Sequence, residues 1–380
     1  MKKIRKIFAL LLTSAFFLGA AACGGTAGDD GKEPGEGTGE TPPPEQTWET
    51  IGEEDMLTER PRVDDGKTYE LLQDLNFSRG IWVTQFHSNS SGGVPAGYFD
   101  YGGKKAPGDY IWSVGQWGCK VDFLSALEKE GGFTRDGGKI TYDDGSKVLS
   151  FDATKTGNIR VAIKGSLEYG QDENGNWLDR PDVTYNWPHN IIGQEINCPD
   201  ISDAERIMME VDYTVNACDR LPTTPVNPDM HAAQFQWFIT FTNKNPESPS
   251  YGESMWFGFS MFDTRSVGGT PSGMAAYDGG KEDNTGMFIY MFSLENAAYM
   301  DGNEVTLPTA VVGQKRTVKV DILPFVQAGL ESAAKQGALE GAQISDLMIG
   351  STNIGIELPG SYDVDVQIHS MNMYKVIRQN

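Results

Sequence analysis

The chain has 380 residues, with 31 basic against 53 acidic side chains and a formal net charge of −22. Phosphate repels such a polyanion, which excludes nucleic acid as an ordinary partner. Glycine, at 45 residues, exceeds the usual ~7% of composition. The 18 Phe, 14 Tyr and 8 Trp exclude a disordered chain. This composition favours many turns and short strands.

Residues 1–22 predict a secretory signal peptide. Four basic residues come first, Ile7 to Leu18 is an apolar run, and small residues lead to Cys23. The run is too short to span a ~30 Å bilayer permanently. The ending Ala20-Ala21-Ala22-Cys23 resembles a bacterial lipobox, which implies cleavage before Cys23 and a lipid on its sulfur. We therefore expect a protein at the extracellular face of the bacterial envelope, in contact with the membrane only through this anchor. Plain secretion is the alternative.

Residues 23–60 predict a tether, because they are rich in Gly, Glu, Asp, Thr and Pro and nearly free of apolar residues. Such a segment buries no core and repels itself into an extended form. Without the signal peptide the chain keeps 27 basic against 53 acidic residues, a charge of −26. Residues 61–380 contain no repeat and no second linker, so we expect a single large domain there.

Apolar and polar residues alternate in the segments Ile159–Tyr169, Ile207–Ala217 and Val364–Ile368. This period of two is typical of half-buried strands in antiparallel sheets. Other segments between turn clusters also predict strands, namely Gly80–His87, Lys147–Asp152, Gln234–Thr242, Met255–Phe262, Met287–Phe292, Arg316–Ile322 and Leu347–Glu357.

Only Val121–Lys129 and Pro324–Gln336 predict helices. The second has Pro in its first turn, places Val326, Leu330 and Ala334 on one stripe, and stops at Gly337. Ten or more strands with one or two short helices in the connections predict an all-β, antiparallel β-sandwich of the jelly-roll kind.

Four stretches resemble secreted bacterial β-sandwich proteins of the concanavalin A-like, carbohydrate-binding type. They are Trp187–Glu195 (WPHNIIGQE), Gln234–Asn243 (QFQWFITFTN), Met255–Arg265 (MWFGFSMFDTR) and Asn353–Ile368 (NIGIELPGSYDVDVQI). The resemblance covers about the second half of the chain. It implies a jelly roll that recognises a glycan or polysaccharide, and it implies no particular activity.

The polar face of Gln234–Thr242 is the strongest candidate surface. Amide side chains offer the donors and acceptors that sugar hydroxyls require, although glutamines also simply cover outward sheet faces. Aromatic faces for sugar rings are available from Trp112, Trp117, Trp187 and Trp256, unless these belong to the core. Strand ends and their loops concentrate binding residues. The predicted carbohydrate site comprises Trp187, His189, Gln194, Glu195, Gln234, Gln236, Trp256, Asp263, Arg265 and Glu357.

A glycoside hydrolase on the same scaffold is the first alternative. The usual mechanism needs two carboxyls at a defined separation, and the candidates are Glu195, Asp263 and Glu357. The apolar neighbours of Glu357 suit the raised pKa of a general acid. Glu210-Val211-Asp212 also resembles the opening of the Glu-x-Asp-x-x-Glu motif of family 16 glycoside hydrolases, but the closing Glu is missing.

Two further alternatives stay open. A polysaccharide lyase would use Tyr185 or His189 as a base beside Arg265, although the net charge of the chain attracts polyuronates poorly. A surface adhesion protein would instead show an exposed apolar patch.

The cysteines allow at most one disulfide, because Cys23 is expected to be lipidated and three others remain. Cys198 and Cys218 are the candidate pair, and buried free thiols are the alternative.

The sequence predicts no zinc site, because the four histidines show no zinc-ligand spacing, and we expect no cofactor. A structural calcium at Asp143-Asp144 or at Asp172–Asn174 stays open, with ordinary turns as the alternative.

Overall fold

The computed structural model describes residues 67–85, 95–100, 110–266, 268–279, 285–309 and 311–378. The predicted signal peptide, Cys23, the tether and His87 lie outside these ranges. Within them, no helix is both long enough and apolar enough to cross a membrane.

The described residues form eighteen strands. In chain order they are β1 (Thr68–Glu70), β2 (Ile81–Thr84), β3 (Pro95–Phe99), β4 (Trp112–Gly115), β5 (Phe133–Asp136), β6 (Lys139–Asp143), β7 (Lys147–Asp152), β8 (Ile159–Lys164), β9 (His189–Cys198), β10 (Ala204–Arg220), β11 (Gln234–Asn243), β12 (Ser254–Asp263), β13 (Met274–Tyr277), β14 (Phe288–Met291), β15 (Glu304–Val305), β16 (Lys315–Asp321), β17 (Leu347–Glu357) and β18 (Tyr362–Ile377).

The helices are short and lie in the connections. They are α1 (Gly165–Tyr169), α2 (Leu294–Ala298) and α3 (Leu323–Lys335), with 3-10 turns at Phe123–Leu127, Thr264–Ser266 and Ile344–Asp346. The prediction of α3 is confirmed, whereas Val121–Lys129 holds only a 3-10 turn. On α3 the buried stripe ends at Ala333 and not at the predicted Ala334, because the 3.6-residue period brings Ala333 onto the face of Val326 and Leu330.

The strands form two nine-stranded sheets. Sheet A has the order β15-β16-β10-β18-β8-β7-β6-β5, with β1 also paired to β18, and sheet B has the order β13-β14-β12-β11-β17-β9-β4-β2-β3. Neighbouring strands are antiparallel except for the parallel pairs β12–β14 and β2–β4. The chain is therefore the all-β sandwich that the alternating pattern predicted.

One hydrophobic core fills the space between the sheets. Along β10 the residues Ile207, Met209 and Tyr213 are fully buried, as the alternation predicted. Along β11 the residues Phe235 and Trp237 are fully buried in the same core. The hydroxyl of Tyr213 in sheet A donates to the carbonyl of Met261 in sheet B at 2.7 Å, which ties the two layers together.

The predicted strand Ile159–Tyr169 is wrong in its second half, since β8 ends at Lys164 and α1 follows. At Gly165 the chain runs against β18, where an added Cβ would meet the carbonyl oxygen of Tyr362 at 2.6 Å. The carboxylate of Asp363 then accepts from both the backbone N–H and the hydroxyl of Ser166 at 3.0 Å. This contact starts a helical turn, and Leu167 is left 44% exposed.

Trp112 has a core position, and the two candidate cysteines lie in different sheets. Trp112 is 1% exposed and its indole N–H donates to the Asp74 carbonyl at 2.8 Å, so it offers no face to a ligand. Cys198 lies in sheet B and Cys218 in sheet A, and both are free thiols. The candidate disulfide between them is not formed.

Candidate functional site

A cleft of about 470 Å³ opens on the face of sheet B that points away from sheet A. Its floor is formed by the side of β11 opposite the buried Phe235 and Trp237. Seven of the ten predicted site residues line this cleft, namely Trp187, His189, Gln234, Gln236, Trp256, Arg265 and Glu357.

Strand register places four polar residues in one row across one end of the cleft. His189 of β9 lies opposite Glu357 of β17. Glu357 lies opposite Gln234 of β11, and Gln234 lies opposite Asp263 of β12. Because neighbouring strands are ~4.8 Å apart, the row presents its hydrogen-bonding groups within a span of ~15 Å.

A β-bulge turns Asp263 toward this row. Strict alternation from Trp256 along β12 would give Asp263 the same side as the buried Met261. The register between β11 and β12 slips by one residue between Phe235 and Gln236. This extra residue re-aims the end of the strand, and the amide Nε2 of Gln234 donates to Asp263 Oδ2 at 3.0 Å.

Asp263 is a buried counter-ion. Arg265 donates to both of its oxygens, from Nε to Oδ1 at 2.9 Å and from Nη2 to Oδ2 at 2.5 Å. The backbone N–H of Arg265 also donates to Oδ1 at 2.9 Å. Hydrogen bonding to Asp263 raises the pKa of Arg265. The carboxylate therefore holds Arg265 and Gln234 at the cleft, and it is itself only 6% exposed.

Glu357 and His189 form the neighbouring polar pair. The indole Nε1 of Trp187 donates to Glu357 Oε2 at 3.0 Å, and His189 Nε2 lies 3.6 Å from the same oxygen. The other ring nitrogen, Nδ1, donates to the Trp117 carbonyl at 2.9 Å. This bond orients the imidazole, so that Nε2 faces the carboxylate.

Half-buried tryptophans form the aromatic walls. Trp117 and Trp256 line the cleft with part of each ring exposed. The ring of Trp187 is covered by the guanidinium of Arg180, whose central carbon lies 4.7 Å from the ring centroid. Trp117 and Trp256 are therefore partly open to the cleft, whereas the Trp187 ring is held against Arg180.

The two remaining predicted residues lie elsewhere. Glu195 and Gln194 border a second cavity of about 470 Å³, the side groove, which shares Trp117 and Trp256 with the cleft. The amide of Gln194 is engaged by the backbone of Gln73, accepting from its N–H at 3.0 Å and donating to its carbonyl at 3.2 Å. Gln194 thus fastens the segment before β2, whereas Glu195 is exposed.

Three glycines allow the strands of sheet B to approach closely. An added Cβ would meet neighbouring backbone at 2.8 Å from Gly193, 2.1 Å from Gly258 and 2.4 Å from Gly355. Contacts below 3.0 Å to backbone force the strands apart, so these positions require glycine.

Glu195 and Glu357 do not have the separation of a glycosidase pair, and Asp263 and Glu357, which lie two strands or ~10 Å apart, have other partners. Glu357 lies opposite His189, and Glu195 is six residues further along β9, which separates the two carboxylates by ~20 Å. The known mechanisms need ~5–5.5 Å or ~6.5–9.5 Å. Asp263 is two strands from Glu357, but its oxygens are occupied by Arg265 and Gln234.

The other acidic candidates have structural partners. Glu210 and Asp212 lie on sheet A and pair with Lys319 at 2.7 Å and Lys315 at 2.6 Å, so they belong to a charged strand face. For calcium, the carboxylate of Asp172 accepts from the backbone of its own turn. No group of three or more potential metal ligands converges within the described ranges.

Sequence reasoning missed Arg180, Asn353 and Tyr277, which also line the cleft. Arg180 lies in an irregular loop between α1 and β9, where no periodicity marks it. Tyr277 ends the short strand β13 and is 47% exposed. In the sequence, Tyr277 is marked only as an aromatic residue next to turn residues. Its place at the cleft follows from the pairing of β13 with β14 in sheet B.

No protein-family profile matches the chain, and no curated protein matches it. Several solved structures are similar in fold, and they are glycoside hydrolases built on a β-sandwich. The catalytic domain of Cel12A from Humicola grisea, in complex with a thio cellotetraose, is 14% identical, and the match covers 64% of this chain and 96% of that one with a TM-score of 0.32.

Two more structures show the same level of likeness. A family 12 xyloglucanase from Bacillus licheniformis is 9% identical over 63% of this chain and 94% of that one, with a TM-score of 0.33. A loop-swap mutant of Xyn11A from Necallimastix patriciarum is 8% identical over 64% and 94%, with a TM-score of 0.31. These likenesses concern the fold and name neither substrate nor reaction for this chain.

Proposed function

We propose that the chain binds a glycan in the cleft on sheet B without cleaving it, and that a lipid on Cys23 holds it at the bacterial cell surface. The observation that carries the binding proposal is the row His189, Glu357, Gln234 and Asp263 beside the half-buried Trp117 and Trp256. Sugar rings have apolar faces and hydroxyl edges, and this combination suits both. The lipid anchor rests on the sequence of residues 1–23 alone.

Binding is favoured over hydrolysis because of the carboxylates. Of the three candidate acids, Glu357 lines the cleft and accepts from Trp187, Asp263 is bound by Arg265, and Glu195 is ~20 Å from Glu357 along the strands. One carboxylate beside an imidazole offers two hydrogen-bonding groups to the hydroxyls of a ligand. It does not supply the acid and the nucleophile of a glycosidase.

The experiment that tests this function is a screen of the purified full chain on a glycan array, followed by calorimetric titration of each hit. Every hit is also incubated with the protein and assayed for new reducing ends and for absorbance of unsaturated sugars at ~235 nm, the products of hydrolysis and of β-elimination. We expect saturable binding and an intact glycan. Released product would show an enzyme, and silence across the array would favour the adhesion alternative.

A pair of tryptophan variants locates the site. Trp256→Ala removes a wall of the cleft and should weaken binding roughly fivefold or more, as for an interface anchor. Trp177→Ala is the matched control, because Trp177 is also half-buried but lines neither the cleft nor the side groove. Equal losses in both variants would contradict the placement of the ligand in the cleft.

A further inference from the structure

Arg180 is a buried cation at the wall of the cleft. Only 6% of the residue is exposed, yet it lines the cleft beside Trp187. Its guanidinium donates from Nε to the Tyr185 carbonyl at 3.1 Å and from Nη2 to the Val183 carbonyl at 2.5 Å. These two bonds and the stacking on Trp187 fix the direction of the side chain.

No carboxylate pairs with Arg180 within the described part of the chain. The nearby acids have other partners: Asp179 binds Arg220 at 2.6 Å, Glu357 accepts from Trp187, and Asp182 accepts from Thr184. Asp182 acts on Arg180 at longer range, without an ion pair.

Arg265, the other arginine of the cleft, shows the contrast. It is bound by both oxygens of Asp263, so its charge is compensated inside the protein. Burial lowers the pKa of Arg180 through desolvation, but a guanidinium stays protonated in proteins. A buried charge without a counter-ion is costly, and an anion entering the cleft removes that cost.

We propose that the cleft recognises an acidic glycan, whose carboxylate or sulfate group pairs with Arg180. This inference rests on the proposed glycan binding and names the class of ligand. A guanidinium matches planar or tetrahedral oxyanions through paired N–H donors. The carbonyls of Tyr185 and Val183 accept hydrogen bonds from Nε and Nη2 of Arg180. The remaining N–H groups of the guanidinium donate to the anion.

The net charge of the chain does not oppose this contact at short range. Charges on the distant surface are screened beyond ~8 Å at physiological ionic strength. Trp187 and Pro359 carry no charge beside Arg180, while Glu357, Asp229 and Asp278 are the acids that line the same cleft. The long-range repulsion that weakens the approach of a polyuronate therefore affects association rate more than the bound contact.

The test compares matched oligosaccharides by calorimetry with the full chain. One arm uses oligouronides, one uses sulfated oligosaccharides, and one uses their uncharged counterparts of the same length. We expect one acidic arm to bind about tenfold more tightly than its neutral counterpart, with a preference that shrinks as salt is raised. The arm that shows the preference identifies the anion as carboxylate or sulfate.

Two variants test whether Arg180 causes the preference for acidic glycans. Arg180→Gln should bring the ratio of acidic to neutral affinity close to one, whatever loss of the stacking on Trp187 does to both affinities. Arg160→Gln is the matched control, because it removes an arginine from sheet A, where Arg160 pairs with Asp365 at 2.7 Å. If Arg180→Gln does not fold, the comparison of acidic and neutral ligands on the unaltered chain still decides.

The outcomes separate the two proposals. Equal affinity for acidic and neutral glycans, or an acidic preference that survives Arg180→Gln, would overturn the inference and leave glycan binding intact. Failure of every glycan to bind would instead overturn the proposed function.

Discussion

Glu357 and His189 face each other across neighbouring strands, with 3.6 Å between the carboxylate Oε2 and the imidazole Nε2. The Trp117 carbonyl fixes the imidazole from one side, and the Trp187 indole fixes the carboxylate from the other. Both groups are thus held before a ligand arrives. Preorganisation of this kind lowers the entropy lost on binding.

The role of Glu357 as an oriented acceptor is testable with two variants. Glu357→Ala leaves the Trp187 N–H without its acceptor and should cost about 1–2 kcal/mol of stability and about tenfold in glycan affinity. Glu357→Gln keeps an acceptor oxygen and should lose less of both. Chemical unfolding and calorimetry measure the two effects, with the exposed Glu295→Ala as control. Equal effects of Ala and Gln would contradict the proposed hydrogen bond.

A buried ion cluster around Lys147 predicts a large effect on stability. Lys147 Nζ lies 2.9 Å from Asp144 Oδ2 and 3.1 Å from Glu168 Oε1, and all three side chains are fully buried. Desolvation lowers the pKa of Lys147, but its interactions with Cys119, Glu168 and Asp144 together outweigh this effect and leave the pKa raised. Lys147→Met removes the cation that pairs with two buried carboxylates. We therefore expect the free energy of unfolding, measured in urea, to fall by about 3–5 kcal/mol.

A surface pair supplies the control for this cluster. Lys155 pairs with Asp152 at 2.8 Å, but the lysine side chain is 62% exposed. Lys155→Met should therefore cost at most about 1 kcal/mol. A loss of similar size in both lysine variants would mean that burial does not set the strength of the Lys147 cluster.

His369 gives the protein a defined pH dependence. Its Nε2 contacts the Thr214 hydroxyl at 2.9 Å. Its pKa is lowered below 6.5 by desolvation and by the charge of Lys315, against the opposing effect of Asp212. The unfolded chain therefore binds a proton at His369 more readily than the folded chain does. The resulting stabilisation is present above pH ~6.5 and is lost as pH falls through the folded pKa.

The measurement for His369 is the urea midpoint between pH 7.5 and pH 5. Burial raises the pKa of Asp74, Asp144 and Asp321, which changes stability in the opposite direction but equally in both chains. Relative to His369→Gln, which does not titrate at this position, the unaltered chain should therefore lose stability over this interval. The carboxylates with lowered pKa, such as Asp172 and Asp200, act at lower pH, since their unfolded value is 3.8. Parallel curves for the two chains would show that His369 does not titrate differently on folding.

Local patterns predicted most of the strands because each strand has one face in the core. The alternation of Ile207–Ala217 is the clearest example, and it lies within β10. The same pattern failed at Leu167, where the close approach of β18 to Gly165 ends the strand. That contact joins residues nearly two hundred positions apart, so no local window contains it.

The candidate site was likewise predictable only in part from the sequence. Residue types suggested that His189, Gln234 and Glu357 bind together, and the register of three strands is what aligns them. The role of Asp263 depended on a bulge, which the apolar pattern of β12 conceals. Arg180 carried no sequence signal at all, because its interest lies in the missing counter-ion and not in its neighbours along the chain.

The place of β17 and β18 in the sheets has a consequence for how the chain is made. These are the last two of the described strands in chain order, yet β18 lies between β10 and β8, and β17 lies between β11 and β9. At ~5–20 residues per second, Leu347 is synthesised on the order of ten seconds after Cys198, the last residue of β9. Until then the four flanking strands each lack a neighbour, and their unpaired edges are open to other chains. The nascent protein therefore depends on protection from aggregation until the ribosome has passed Ile377.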